Sequence, residues 1–165
     1  MIKIRKHIIK DIPYRIKWLN NKNANKFLAD RLGEGTTLKK EKEWFDKYEK
    51  GKNKIFFTIC DNKKPIGFMG LSNIDKTNRN ADLFIIIGED NYRGKGFGKK
   101  SMLWLLSYGF KKLKLHKIKL QVDEENTNAH WLYKKLGFKT EGVMKEEYYY
   151  KEKFYDLIIM AKFER

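Results

Sequence analysis

Arg93-Gly94-Lys95-Gly96-Phe97-Gly98-Lys99 is a run in which three glycines alternate with basic and aromatic residues, and its neighbours on either side decide how the chain folds. Upstream, Leu83-Phe84-Ile85-Ile86-Ile87 is a short apolar, β-branched stretch of the kind that fills a central strand. Downstream, Met102, Leu103, Leu106, Phe110 and Leu113 recur at helical spacing. A strand, a glycine turn and a helix N-terminus present free backbone N–H groups and the positive end of a helix dipole, and Arg93, Lys95 and Lys99 add charge. The stretch reads as an anion cradle with phosphate as its guest, against the plainer reading of a surface turn.

Spacing separates the phosphate loops that could look like this. The nucleotidase loop G-x-x-x-x-G-K-[ST] needs a glycine where Arg93 stands and Ser or Thr where Lys100 stands. The dinucleotide fingerprint G-x-G-x-x-G needs its third glycine one residue beyond Gly98. What remains, Arg-Gly-x-Gly-x-Gly, resembles the pyrophosphate loop with which the GNAT superfamily of N-acetyltransferases holds coenzyme A. A second signature, running from Asn126 through Ala129, Leu132 and Tyr133 to Gly137-Phe138, is similar to that superfamily's N-x-x-A-x-x-L-Y-x-x-x-G-F pattern. With Glu141-Gly142-Val143 and the stretch from Tyr155 to Met160, the resemblance is continuous from Ala81 to Phe163. It points to the branch of the spermidine and ribosomal-protein alanine acetyltransferases, and is weak upstream, where family members shape the acceptor pocket.

The resemblance implies an α+β fold, one acetyltransferase domain over residues 1–165, with a mixed, mostly antiparallel sheet of about seven strands flanked by helices and splayed at its centre. Acetyl-CoA would lie in the splay as cosubstrate. Ile86 and Ile87 would offer backbone groups to its pantetheine arm, and the N–H groups of Arg93, Gly94, Lys95, Gly96, Phe97, Gly98 and Lys99 would take the pyrophosphate. Asn126 resembles the family's cofactor-contacting amide; it also reads as a helix N-cap, and the two roles can coexist. Tyr133 matches the family's general acid for the departing thiolate. By spacing alone it belongs to a packed stripe with Ala129, Leu132 and Leu136. Asp82 resembles the family's carboxylate base, one methylene shorter, so that a water relay can be needed; it is expected among apolar neighbours, which would raise its pKa. Glu89 reads as a solvated turn residue. Cys60, in an apolar strand without a histidine partner, argues against an acyl-cysteine step, and a ternary complex is expected.

At 165 residues with 41% apolar content, the chain has room for one sizeable core and no second domain. The charged N-terminus lacks a signal-peptide run and no stretch is apolar enough to cross a bilayer, so a cytoplasmic protein without a membrane partner is expected. His7, His116 and His130 are scattered, and no metal site is expected. The net charge of +16 reads first as a solvated lysine-rich surface; such a surface favours anionic ligands and repels polycations. It also keeps open a nucleic-acid-binding module, although Tyr148, Tyr149, Tyr150 and Phe154 alternate as strand residues do. A CoA-binding sensor without turnover is the other non-enzyme reading.

Along the chain, a first strand is expected at Met1 to His7, then Asp11 as the cap of a helix with Pro13 in its first turn, ending near Asn20. Phe27 and Leu28 are expected to anchor a short second helix, and Leu38 to Lys50 a third, closed by Gly51. Strands Ile55–Cys60, Pro65–Ile74 and Ala81–Ile87 form a meander. A helix from Gly98 to Lys114, a strand at Ile118–Val122, a helix at Asn126–Leu136 and β structure from Phe138 to Phe163 complete the order. For the acceptor, segment 21–37 carries Asp30 and Glu34 but also Lys22, Lys26 and Arg31, and is not acidic on balance. The expected acceptor is therefore a small neutral or anionic amine, such as an amino sugar, ahead of a polyamine or a protein N-terminus; homodimer formation is left open.

Overall fold

The computed structural model describes residues 1–27 and 35–165, so Leu28, Asp30, Arg31 and Glu34 lie outside the described residues. Its sheet has the order β1-β2-β3-β4-β5-β7-β6. In the first half, β2 (Ile55–Asp61), β3 (Lys64–Asp75) and β4 (Asn80–Ile87) form the expected antiparallel meander, and β1 (Ile2–Lys6) adds to it antiparallel along β2. The second half is β5 (Lys117–Asp123), paired antiparallel with β7 (Lys153–Phe163), which carries β6 (Lys139–Tyr150) on its far side. A parallel contact between β4 and β5 joins the halves.

Period-two alternation divides the apolar residues between the two faces. On one face, Leu83 of β4 and Ile118, Leu120 and Val122 of β5 join Met102, Leu105 and Leu106 of helix α4 (Phe97–Ser107) in the main core, with α5 (Thr127–Lys135) packed alongside through Leu132 and Tyr133. On the other face, Phe56, Phe68, Phe84 and Ile86 meet α1 (Ile12–Leu19) and α3 (Leu38–Lys50) through Ile12, Trp18, Leu19, Phe45 and Tyr48. The short α2 (Lys22–Asn25) follows α1 and ends before Phe27, while Leu28, the other expected anchor, lies outside the described residues. α4 ends at Ser107 and passes into a π-helical turn, Tyr108–Lys112, shorter as an α-helix than its spacing suggested. Among the described residues, no helix is long and apolar enough to cross a membrane.

Asp11 does not cap α1 with its side chain. Its carboxylate takes Arg5 Nη1 and Nη2 at 2.7 and 2.6 Å, Thr58 Oγ1 at 2.8 Å and the Ile8 N–H at 3.0 Å. Burial alone would push this carboxyl up, but those hydrogen bonds outweigh it and hold it below its ordinary range. Thr58 gives its proton to Asp11, so His7 Nδ1, 2.8 Å from Thr58 Oγ1, is the donor of that pair. A second buried pair, Arg15 Nε to Glu41 Oε2 at 2.7 Å, ties α1 to α3; Thr36 Oγ1 donates to the other Glu41 oxygen. The Arg15 guanidinium lies 3.7 Å from the Trp44 ring centre.

Burial, reinforced by the nearby Arg15, lowers the His7 pKa to about 4. The unfolded chain then takes up a proton near pH 6.5 that the folded chain refuses until about pH 4, so stability is present above 6.5 and falls as pH drops through that window. Urea unfolding is expected to show a loss of roughly 2 kcal/mol between pH 6.5 and 4.5 from this group, and His7→Asn is expected to flatten that slope.

Candidate active site

β4 and β5 pair only at Asn80–Lys117, Ala81–Ile118 and Asp82–Lys119. Beyond Asp82, β4 stays with β3 as far as Ile87, and β5 stays with β7 as far as Asp123. The two strands therefore part, and a wedge opens between them. Gly67 lies opposite Ile87, and the Gly88 N–H bonds to the Ile66 carbonyl, which makes the Gly67–Ile87 pair a non-hydrogen-bonded one. Alternation then spends the Ile86 backbone groups on Phe68 and turns those of Ile85 and Ile87 into the wedge. Of the two expected isoleucines, Ile87 faces the gap, and Ile85 stands where Ile86 was expected.

The glycine loop closes the wide end of the wedge. After a 3-10 turn at Asp90–Tyr92, Gly94 and Gly96 take φ of +71° and +81°, and Gly96 is the N-cap of α4 with no side-chain cap. The N–H groups of Phe97, Gly98 and Lys99 begin the helix and have no carbonyl one turn back to bond, while the Lys100 N–H already reaches the Gly96 carbonyl. A Cβ on Gly94 or Gly96 would meet nothing within 4 Å. The glycines are thus required by the left-handed backbone, and the space before the amides is open to a ligand. Tyr92 and Phe97, with ring centres 5.3 Å apart, clasp the two ends of the loop. Arg93 turns inward: Nε donates to the Ile87 carbonyl at 3.0 Å and Nη2 lies 2.9 Å from Asp90. Lys95 and Lys99 are exposed.

Asn126 caps α5 by accepting the Ala129 N–H at 3.2 Å. Its amide nitrogen has no partner among the described residues. Tyr133 is half-buried in the α5 stripe, its ring 5.9 Å from Phe138, and burial pushes its pKa up to about 12. Its hydroxyl makes no hydrogen bond among the described residues, so at neutral pH it is a protonated donor with its proton uncommitted.

Asp82 stands at the last β4–β5 pair, where the wedge begins, on the α1/α3 face. It is not set among apolar neighbours as expected. Asn73 Nδ2 donates to it at 2.7 Å, and Lys119 Nζ lies 3.5 Å away. Glu89 also departs from its expected role as a solvated turn residue. Its carboxylate accepts from Lys17 Nζ at 2.5 Å and Trp18 Nε1 at 2.9 Å; burial raises its pKa, but these bonds prevail and hold it below the ordinary range. Cys60 is buried and its thiol is pushed up by burial, a poor nucleophile.

On the α1/α3 face the wedge widens into a cleft of about 640 Å³ lined by Phe27, Phe84, Asp82, Asp123, Glu147 and Tyr148 among others. Buried Asp123 accepts a very short hydrogen bond from the Tyr148 hydroxyl, whose ring stacks on Tyr155. Burial and this bond both raise the Tyr148 pKa. Among the described residues the lining includes three carboxylates and no lysine or arginine. Sequence reasoning did not single out Asp123 or Glu147. Parity along β5 carried the signal for the first: Ile118, Leu120 and Val122 point into the core, which leaves Gln121 and Asp123 on the face of Asp82.

A strand, uncapped amide cradle and helix beside a parted pair of strands define the acyl-CoA-binding architecture of the acetyltransferases. The acetyltransferase (GNAT) domain family matches residues 2–139, and the chain belongs to that family. It is 34% identical over 121 residues, 73% of this chain, to a spermidine N(1)-acetyltransferase of Escherichia coli K12, and spans 64% of that relative's length. It is 36% identical over 123 residues to the corresponding Vibrio cholerae enzyme, covering 70% of each chain. The crystal structure of a Vibrio cholerae spermidine N-acetyltransferase in complex with CoA and spermine superposes with a TM-score of 0.91 at 29% identity, covering 98% of this chain and 95% of that one.

Gly96→Val places a β-branched residue at φ +81° with open space around it. The expected cost is about 1–2 kcal/mol of backbone strain, read by urea unfolding. Gly142→Val, at a glycine with equally open surroundings and no left-handed φ, is expected to cost less.

Proposed function

We propose that the protein is an acetyl-CoA-dependent N-acetyltransferase that acetylates a primary amine of a polyamine such as spermidine. The carboxylate lining of the cleft carries the choice of acceptor. The whole chain is strongly basic, at +16, and that field alone disfavours a polycation. Local charge decides at contact distance: Asp123 and Glu147 face the cleft, while Asp82 at the wedge is balanced by Lys119 3.5 Å away, so two carboxylates carry the local negative charge. This replaces the expectation of a neutral or anionic amine, which leaned on the net charge and on a segment of which Asp30, Arg31 and Glu34 lie outside the described residues. The names of the relatives point the same way.

In this reading the cradle amides of Gly94 to Lys99 hold the pyrophosphate, with Lys95 and Lys99 adding charge, and Arg93 fixes the loop to the end of β4. The backbone groups of Ile85 and Ile87 pair with the pantetheine arm as a strand would, and Asn126 offers its free amide nitrogen. The thioester carbonyl then sits in the wedge and the amine enters from the α1/α3 face. Asp82, directly or through a water, takes the proton that frees the amine lone pair. The amine nitrogen bonds to the carbonyl carbon, the carbon–sulfur bond breaks as Tyr133 gives its hydroxyl proton to the thiolate, and the extra proton on the new amide nitrogen leaves to solvent, from which Tyr133 is reprotonated. No acyl-enzyme forms, consistent with buried Cys60.

Thiol release tests the reading. Spermidine is expected to be acetylated ahead of a nucleotide-linked amino sugar and a short peptide, with KM rising as salt is added. Glu147→Gln is expected to raise KM for spermidine about 3- to 10-fold with little change for acetyl-CoA. Turnover on the amino sugar or the peptide alone would move the acceptor to that class; binding of CoA without turnover on any amine would leave a sensor.

Tyr133→Phe keeps the packed ring and removes only the proton donor. The expected outcome is near-unchanged melting temperature and CoA affinity, with single-turnover rate lowered about 10- to 1000-fold. An unchanged rate would return Tyr133 to a packing role.

A further inference from the structure

Glu89-Asp90 joins the end of β4 to the glycine loop and takes no part in the chemistry above, yet both side chains reach across to the N-terminal helices. Trp18 is fully buried, stacked on Phe68, and its indole lies so close to Gly88 that a Cβ there would fall 2.0 Å from the ring. Its Nε1 donates to Glu89, which also receives Lys17 and keeps only 15% of its side chain exposed. One residue on, Asp90 accepts from Asn21 Nδ2 at 3.2 Å and Asn23 Nδ2 at 3.4 Å, and faces Arg93 at the start of the cradle. Asn21 in turn caps α2 through the Asn23 N–H, and its carbonyl receives the Ala24 and Asn25 N–H groups. The base of the loop, the end of α1 and the whole of α2 are thereby one hydrogen-bonded unit, and α2 leads to Phe27 on the wall of the cleft.

We infer that Glu89 and Asp90 are positioning residues that couple the phosphate cradle to the acceptor wall, so that a bound nucleotide diphosphate holds residues 17–27 in place for the amine. The inference rests on the reading of the loop as the CoA site. Gly94 and Gly96 have open space around them, and the contacts of Arg93 and of the Tyr92–Phe97 pair hold only the flanks of the loop. A ligand gripping its amides removes loop openings, and whatever opens together with the loop is protected by the same binding energy. The linkage is reciprocal: an amine that orders α2 tightens the cradle by the same factor.

Hydrogen exchange followed by mass spectrometry, with CoA as the probe and no amine present, tests the coupling. In the wild-type protein CoA is expected to slow exchange at Ala24 and Asn25 about 10-fold, with no effect on the centre of α3. Asp90→Ala, a change at a half-exposed side chain, and Glu89→Ala are expected to abolish that protection while the protein still binds CoA. Glu89→Gln, whose amide oxygen can still accept from Trp18, is expected to restore most of it. Should Glu89→Ala not fold, the Asp90→Ala result decides. Saturating CoA without protection of residues 17–27, or protection that survives in Asp90→Ala, would overturn the coupling alone. Failure of CoA to bind the wild-type protein in a calorimetric titration would overturn it together with the cofactor reading.

Discussion

The parting of β4 and β5 after Asp82 and Lys119 is the constraint on which the rest of the molecule depends. A parallel pair of strands usually runs to its end because each unpaired amide costs free energy when buried. Here each strand keeps its other neighbour over its full length, β3 for β4 and β7 for β5, so the sheet survives the break. The groups left over, those of Ile85 and the Ile87 N–H above all, line the wedge, while the Ile87 carbonyl accepts from Arg93 Nε. The wedge opens toward both faces of the sheet, and the proposed reaction brings the cosubstrate from the α4 side to an acceptor on the α1/α3 side.

The glycine cradle follows from the same break. A chain leaving the end of β4 must turn at once to cover the main core with α4, and left-handed Gly94 and Gly96 make that turn. A glycine N-cap then leaves the first helical amides without a side chain to satisfy them. Left to water this is a small cost; aimed at a diphosphate it is a binding site.

Much of this was legible in the sequence because it is local. The glycine spacing, the apolar run before it and the stripe of Ala129, Leu132, Tyr133 and Leu136 each report on neighbours in the chain, and strand and helix order came out close to that observed. What was not legible is long-range pairing. Asp11 looks like a cap until Arg5 and Thr58 close around it from other strands, and Glu89 looks like a turn residue until Trp18 reaches it from 71 positions away. Asp82 looked apolar in its surroundings because Asn73 and Lys119 are brought to it by β3 and β5. Ile85 was passed over in favour of Ile86 because a run of three isoleucines does not reveal which of them spends its backbone on β3. The charge of the cleft was hidden for a similar reason: Asp123 and Glu147 sit on different strands and meet only in the fold, so net charge alone did not reveal this local lining.

The central claim is that the wedge and its cradle hold the cosubstrate, and backbone amide chemical shifts measured during a titration with CoA test it most directly. The account predicts large shifts at Gly94, Gly96, Phe97, Gly98 and Lys99, accompanied by shifts along Ile85 to Ile87 and at Asn126. Shifts confined to another surface of this basic protein, such as the lysine-rich hollow between Phe110 and Arg165, with the three loop glycines unmoved, would contradict it.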